Sequence, residues 1–161
     1  MSQQNSGQLI PPTNSLRLKV GGGRLGMIDP AAIAKAEAAL KSLSSNFAQW
    51  LNDEIVKLDA ARQQVRVDGV TAESMENLYL RAHDLKGLGT TYGYQLITRI
   101  AGSLCRMIDD KDKRAATPLE LVDAHIDAIK AAVRDDIKSD EHPVGRILVE
   151  ELERRVQAMG A

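Results

Sequence analysis

Aromatic residues and cysteine are scarce in this sequence, and neither sign of charge is in excess. Phe, Trp and Tyr together make up only 3% of the 161 residues, so a core has to be built from aliphatic side chains, which favours helices over strands. The single cysteine, Cys105, excludes an internal disulfide and indicates a reducing compartment. With 21 basic and 22 acidic residues, the chain lacks the basic excess that non-specific nucleic-acid binding requires.

Long hydrophobic runs are absent as well. No apolar stretch approaches the roughly 18 residues of a membrane span, and no charged segment followed by an apolar run marks a signal peptide. We therefore expect a cytoplasmic protein that neither crosses a membrane nor binds nucleic acid. With 43% apolar and 27% charged residues, the chain has the composition of an ordinary globular protein, and it is long enough for a core of its own.

Apolar residues recur at helical spacing in six segments of the chain. Four of these predict an all-α fold, an up-down four-helix bundle, with helices at about 46–67, 72–90, 94–109 and 117–138. Two extra helices are predicted at the ends or sides of this bundle, at 30–43 and 144–158.

Composition along the chain sets the expected domain limits. Residues 1–28 are rich in Gln, Asn, Ser, Gly and Pro and are predicted to be a flexible tail. The alternative is a short segment in this range that pairs with a partner or packs on the bundle. Residues 29–161 are predicted to form one helical domain, with its core bundle at about 46–138. The Ser-Ser-Asn sequence at 44–46 is expected to bend the chain or cap a new helix, and the charged run at 110–116 to be a linker.

Cap residues indicate where several helices begin. Asp29 stands before a proline and predicts a helix start, because it can cap the first turn while proline takes the first helical position. Thr71 and Ser74 offer capping oxygens for the helix that follows them. Thr117 begins a Thr-Pro-Leu-Glu sequence that resembles a capping box, which predicts a helix with Thr117 as its N-cap.

The stretch from residue 78 to residue 89 carries the most informative pattern. Read as a helix, it has an apolar stripe made of Leu78, Ala82 and Leu85. His83 projects about 120° from the middle of this stripe, on the outer side of the helix. Lys86 and Gly87 follow at i+3 and i+4, so both are neighbours of the imidazole on that surface.

These three residues fit covalent chemistry on the histidine. A neutral imidazole is nucleophilic near neutral pH, since the unperturbed pKa is about 6.5, and histidine is a known carrier of covalent intermediates. Lys86 could neutralise part of the charge of a phosphoryl group on His83, and Gly87 leaves open space beside it. The alternative is a surface histidine without a role, next to a glycine that only ends the helix.

The sequence His83-Asp84-Leu85-Lys86-Gly87 resembles the His-x-Leu-Lys-Gly signature of histidine-containing phosphotransfer (HPt) domains. The similarity continues with the small residues at 89–91, a glycine that opens the next helix, leucine at helical spacing and an acidic residue near the end of that helix, namely Gly93, Leu96, Ile100, Leu104 and Asp109. It covers roughly residues 45–138. Leu88 departs from the pattern, since the family often has serine or another small residue there.

The resemblance implies a phosphocarrier of a bacterial-type two-component phosphorelay, and not an enzyme with its own ATP-binding or kinase module. His83 would accept a phosphoryl group from an aspartyl phosphate on a receiver domain of a response regulator or hybrid sensor kinase, and would pass it to another receiver. Lys86 would screen the phosphoryl charge, and Gly87 would give the partner access. No cofactor and no metal are expected in this chain, because the metal ion belongs to the receiver.

A docking surface for the receiver is expected around His83. Tyr79 and Leu80 lie on the same outer side, and Leu80 is an apolar residue at an exposed position, as in a weak interface. If the next helix runs antiparallel, Arg99, Gly102 and Ser103 lie near the level of His83. The alternative for Arg99 is a solvated helix face.

Trp50 and the other two histidines are given structural roles or none. Trp50 is expected to pack in the core beside the apolar stripe of its helix. His125 is predicted to be buried or half-buried and structural, and His142 is assigned no role. The three histidines share no close ligand spacing, which argues against zinc, and Asp84 points away from His83, which argues against a hydrolase triad.

Two other functions stay open at this point. The chain could be a helical adaptor or dimerisation module without chemistry, or the dimeric histidine-bearing bundle of a sensor kinase. Because the prediction places four bundle helices within one chain, we expect a monomer.

Overall fold

The computed structural model describes residues 28–160, so the predicted tail at 1–28 lies almost wholly outside the described residues. The described part contains five α-helices and one 3-10 helix, and no strand occurs within it. The helices are α1 (Pro30–Asp68), α2 (Ala72–Leu88), α3 (Gln95–Ile108), the 3-10 helix (Lys111–Ala116), α4 (Leu119–Arg134) and α5 (Pro143–Ala158). The prediction of an all-α fold is confirmed.

The described residues divide into two units, residues 28–46 and residues 47–160. In the first unit, every described residue from 28 to 46 is exposed. In the second unit, all five helices contribute to one aliphatic core. The largest of its fully buried side chains are Leu51, Leu58, Met75, Leu78, Leu85, Leu96, Ile97, Ile100, Leu104, Ile108, Ile126 and Ile129.

Helix α3 is the central element of the second unit. It packs against α2, α4 and α5, and ten of its 14 residues are buried. Because α3 packs against three other helices, little of its surface is left for solvent. Gly145 of α5 makes the close approach possible, because a Cβ there would lie 2.6 Å from the Ser139 carbonyl oxygen and 3.2 Å from Leu96 Cδ2.

Polar bonds attach the later part of α1 to its neighbours. Arg62, which is only 6% exposed, donates from Nη1 to Asp127 on α4 at 2.8 Å and also bonds Asp59 on its own helix. Asn77 of α2 donates to Gln64 of α1 at 2.7 Å. These bonds join α1 to α4 and to α2.

Three predicted helix limits were wrong. The predicted break at 44–46 does not occur, since α1 runs from Pro30 to Asp68 as one helix. Serine and asparagine cost only a few tenths of a kcal/mol each in a helix interior, which does not end a helix. Helix α4 ends at Arg134 and not at the predicted residue 138. Asp136 has a φ of +55°, and Ile137 N–H bonds the Ala132 carbonyl, so the chain leaves the helix in a Schellman turn.

Thr117 is not the N-cap of α4, contrary to the prediction. It ends the preceding 3-10 helix, where its N–H bonds the Arg114 carbonyl, and Pro118 occupies the N-cap of α4 instead. The Thr117 hydroxyl is buried without a hydrogen-bond partner among the described residues. The charged run predicted as a linker forms this 3-10 helix, and its Arg114 is buried.

Candidate functional site

The helix that carries His83 is fixed at both ends by local chemistry. Thr71 is its N-cap, and Thr71 and Ser74 exchange reciprocal bonds of 3.0 Å between side chain and backbone N–H, which is a capping box. At the other end, a Cβ on Gly89 would lie 2.5 Å from Thr98 Oγ1 and 2.8 Å from the Thr98 nitrogen. Only glycine therefore permits this close contact between the end of α2 and the start of α3.

The predicted helical frame of α2 is confirmed. Leu78, Ala82 and Leu85 are completely buried, and His83 is exposed on the opposite side. Among residues 28–160, no hydrogen bond or ion pair reaches the His83 ring. The imidazole is thus held only by its neighbours on the helix and is open to a reacting partner.

Lys86 lies across the face of α3. A Cβ placed on Gly102 would be 3.8 Å from both Cδ and Cε of Lys86, so the aliphatic stem of the lysine rests on this glycine. Burial raises the pKa of the nearby Cys105 thiol to about 11, and the positive charge of Lys86 opposes part of that increase. The structure therefore brings together two residues of the predicted site, Lys86 and Gly102, although Gly102 is buried.

Gly87 faces open space. A Cβ there would have no heavy atom within 4 Å, so packing does not require glycine at this position. With His83, Gly87 lines a shallow groove of about 450 Å³ between α1 and α2, whose other lining residues are Glu54, Lys57, Arg81, Asp84 and Leu88. The absence of a side chain at Gly87 widens the approach to His83 from this side.

Tyr79 and Leu80 occupy different environments. Leu80 is 49% exposed, as expected for a docking residue. Tyr79 is partly buried against the core, and its ring centroid lies 6.0 Å from that of His83 with the two planes tilted by 35°. Tyr79 is therefore a direct neighbour of the imidazole as well as a surface residue.

Arg99 and Ser103 are directed away from His83. Arg99 donates to Asp140 at 2.8 Å and to Glu153 of α5, and the bond to Glu153 is the main reason that the pKa of Arg99 is raised. Ser103 is completely buried. Arg99 thus pairs with acidic residues near α5, and Ser103 pairs with His125 of α4, while a role of Arg99 in binding a partner stays a prediction.

His125 is a structural histidine, as predicted. It is completely buried, with Nδ1 2.7 Å from the Leu121 carbonyl oxygen and Nε2 2.9 Å from Ser103 Oγ. These partners imply that Nδ1–H donates to Leu121 and that Nε2 accepts the Ser103 hydroxyl proton. Burial lowers the pKa of His125, so the ring is neutral in the folded protein near pH 7.

His142 and Trp50 have positions that the sequence analysis did not predict. His142 is the N-cap of α5, and its Nδ1 accepts from Val144 N–H at 3.1 Å. The proline that follows it, at the first helical position, was the available signal for this cap. Trp50 is 46% exposed and not in the core; it forms an aromatic cluster with Phe47 and Tyr92.

Neither a metal site nor a membrane-spanning helix is found among residues 28–160. No three His, Cys, Asp or Glu side chains in that range are grouped so that they could hold a metal ion. No helix in the same range combines the length and the hydropathy needed to cross a membrane.

Comparisons with protein-family models, with curated proteins and with solved structures give no match to this chain.

Proposed function

We propose that this chain is a histidine phosphocarrier of the HPt type in a two-component phosphorelay. His83 accepts a phosphoryl group from an aspartyl phosphate on a receiver domain and passes it to another receiver. The observation that carries this proposal is a combination on α2 of an exposed imidazole, an exposed lysine three residues later whose stem lies on Gly102, and a glycine that packing does not require. In this proposal α2, α3, α4 and residues 47–68 of α1 form the four-helix bundle, and α5 is an addition to it.

The transfer step needs only His83 as a reacting group in this chain. The unprotonated ring nitrogen attacks phosphorus, an N–P bond forms, and the P–O bond to the aspartyl carboxyl group breaks. The aspartate leaves as a carboxylate with the electron pair, and the proton on the other ring nitrogen passes to water. Transfer to the next receiver is the reverse reaction with a different carboxylate.

Lys86 stabilises the phosphorylated form. A phosphoryl group brings about two negative charges, and a lysine one helical turn away offers a compact positive charge to them. Among the described residues, no carboxylate is paired with the Lys86 ammonium group, so the charge is available for the phosphoryl group. Because the stem of Lys86 rests on Gly102, less side-chain freedom is lost when that contact forms.

Gly87 gives the receiver access to His83. Glycine inside a helix costs about 0.5–1 kcal/mol relative to alanine, and no neighbouring atom in α1 or α3 requires its small size. A partner that must bring its own active site against the imidazole supplies the reason for this cost. Tyr79 and Leu80 border the same surface and are proposed to contact the receiver.

The protein acts in the cytoplasm as a monomer and carries neither a kinase module nor a cofactor in this proposal. A helical adaptor or dimerisation module is the second candidate function. The observation that favours it is the exposure of Ile33, Leu40 and Leu43 in the first unit, where Leu40 is 67% exposed.

The deciding experiment is phosphoryl transfer from a purified receiver domain that has been labelled with ³²P-acetyl phosphate. We expect label on the wild-type chain that is labile in acid and stable in base, as an N–P bond is. His83→Gln should abolish the label, and His142→Gln, which alters another exposed histidine, should keep it. No label on the wild type with several receivers would contradict the phosphocarrier proposal and support the adaptor.

A further inference from the structure

Arg114 in the 3-10 helix has an unusual environment for a residue in a charged run. It is only 6% exposed, although its neighbours along the chain are mostly solvated. Its Nε donates to the Ile108 carbonyl oxygen at 2.7 Å, and its Nη1 donates to Glu76 at 2.6 Å. The guanidinium group is thus fixed between the end of α3 and the first half of α2.

The fixed guanidinium group holds the ring of Tyr79. The Arg114 Cζ lies 5.2 Å from the centroid of that ring, which is the geometry of a cation–π contact. Burial raises the pKa of the Tyr79 hydroxyl, and the nearby Asp109 carboxylate adds to the increase. The ring therefore has a cation against its face, an acidic group near its hydroxyl and the core beneath it.

Tyr79 in turn restrains the imidazole of His83. The two residues are one helical turn apart, and helical side chains lean towards the turn that precedes them, so the His83 ring lies over Tyr79. The 6.0 Å centroid distance and the tilt of 35° are within the range of favourable aromatic pairs. No hydrogen bond from the described residues holds the imidazole, so its packing against Tyr79 is the contact available to orient it.

We infer that Arg114 and Tyr79 are positioning residues for His83: Arg114 holds the Tyr79 ring, and the ring holds the imidazole in one orientation for phosphoryl transfer. This inference rests on the proposed function of His83. It changes the role of Tyr79, which has so far been a docking residue, and it gives a role to Arg114, which does not itself contact His83. A misplaced nucleophile loses rate and not affinity, so the effect belongs to the transfer step.

The first measurement uses the unphosphorylated full-length chain, so it does not depend on the transfer reaction. Two-dimensional NMR of the imidazole groups resolves three histidines, of which only His83 has an aromatic neighbour. Tyr79→Leu should shift the His83 ring signals and leave those of His125 and His142 in place. Tyr79→Phe keeps the ring and should leave all three in place. Unchanged His83 signals in Tyr79→Leu would overturn the inference.

Arg114→Gln tests whether the effect reaches His83 through the tyrosine. The Arg114 side chain does not touch the imidazole, so a shift of the His83 signals in the same direction as in Tyr79→Leu supports the contact chain. Far-UV circular dichroism checks that the helices persist. If Arg114→Gln does not fold, Arg114→Lys, which keeps the charge and loses the fixed fork, replaces it. His83 signals identical to wild type in a folded Arg114 variant would overturn the role of Arg114.

The second measurement separates positioning from docking by the dependence of transfer rate on receiver concentration. Tyr79→Leu should lower the maximal rate by up to about 100-fold and leave the half-saturating concentration unchanged, with Tyr79→Phe restoring the rate. A higher half-saturating concentration at an unchanged maximal rate would overturn positioning in favour of docking. A wild type that takes no label would refute the proposed function, and the His83 signals of Arg114→Gln, which keeps the Tyr79 ring, would still decide whether the contacts from Arg114 through Tyr79 set the position of the imidazole.

Discussion

Two histidines of this protein, His83 and His125, lie in opposite environments in two regions of the molecule. His83 is exposed on α2, and no hydrogen bond from residues 28–160 reaches its ring. His125 is completely buried on α4, and both of its ring nitrogens have partners. A ring with both nitrogens engaged cannot act as a nucleophile, whereas a ring with neither engaged has no structural task. The contacts that His83 lacks are therefore what make its ring available for the proposed phosphoryl transfer.

The glycines near these two regions repeat the contrast. Gly87, beside His83, has open space where a Cβ would be, and Gly89, only two residues later, has Thr98 at 2.5 Å. Gly89 is glycine because Thr98 of α3 occupies the space that a larger side chain would need. Gly87 has no such reason within the described residues, and under the proposed function it is glycine to give the receiver access.

The largest expected difference is in stability between alanine variants of these two glycines. Gly89→Ala should lower the free energy of unfolding by about 1–3 kcal/mol, because the new methyl group meets the Thr98 backbone and cannot be accommodated by a side-chain rotation. Gly87→Ala should raise it by about 0.5–1 kcal/mol, because alanine favours the helix and the space is empty.

Urea denaturation of the two variants measures this difference, and transfer from a labelled receiver gives the second readout. Gly87→Ala should transfer more slowly than wild type in spite of its higher stability, since its methyl group lies in the partner's path. Two variants with the same stability, or a Gly87→Ala variant that transfers as fast as wild type, would remove the distinction between the two glycines.

The next largest expected effect is a loss of stability when the buried His125 is replaced. His125→Leu should lower the free energy of unfolding by about 1–3 kcal/mol, because the buried Ser103 hydroxyl loses its partner. The double variant Ser103→Ala with His125→Leu should recover part of the loss, since no unpaired hydroxyl is left. Phosphorylation of His83 should be unchanged in every variant that folds. Strictly additive losses would show that the two side chains do not depend on each other.

Much of the candidate site on α2 could be predicted from local sequence, whereas the contacts that other helices make around it could not. The buried stripe of α2, the exposed position of His83 and the Thr71 cap follow from spacings of three or four residues, which a helix fixes by itself. The environment of Arg99 depends on where α5 packs, since its partner Glu153 is 54 residues away in sequence. No local pattern contains that information.

Arg114 shows the same limit more sharply. A run of alternating Lys, Asp and Arg is typical of a solvated linker, and a linker was the prediction for residues 110–116. The bond to Glu76 joins residues 38 positions apart, and the contact with Tyr79 depends on how the 3-10 helix meets α2. A local charge pattern cannot show that Arg114 is buried, because its burial depends on contacts with residues that are distant in sequence.

A pH dependence of stability should follow from the environment of His125. Burial lowers its pKa in the folded protein, whereas the unfolded chain has the ordinary value of about 6.5. Above that pH both states are neutral at this residue, and below it the unfolded chain binds a proton that the folded protein does not. The free energy of unfolding should therefore fall as the pH decreases below about 6.5, by at most about 1.4 kcal/mol per pH unit.

Urea denaturation at pH 7.5, 6.5 and 5.5 measures this dependence, with the double variant of Ser103 and His125 as the control. The control should be flatter over this range than the wild type, because it lacks the buried imidazole. Carboxylates whose pKa is lowered by arginine or lysine, such as those of Glu76 and Asp59, lose their contribution at lower pH and do not account for a change above pH 5. A wild type and control with equal slopes would contradict the prediction.

The smallest expected effect belongs to Gly102, which touches the reactive region from the interior side. A Cβ there would lie 3.8 Å from the Lys86 stem, an ordinary contact distance, so Gly102→Ala should fold normally and only lift the lysine slightly. The transfer rate should change by about twofold or less, in keeping with the ±0.5 kcal/mol of substitutions that disturb no special contact. If Gly102 instead touched the receiver, Gly102→Ala should slow transfer by much more than twofold, as is expected for Gly87→Ala. The comparison of these two variants in one transfer series therefore decides whether the surface used by the partner ends at α2 or extends onto α3.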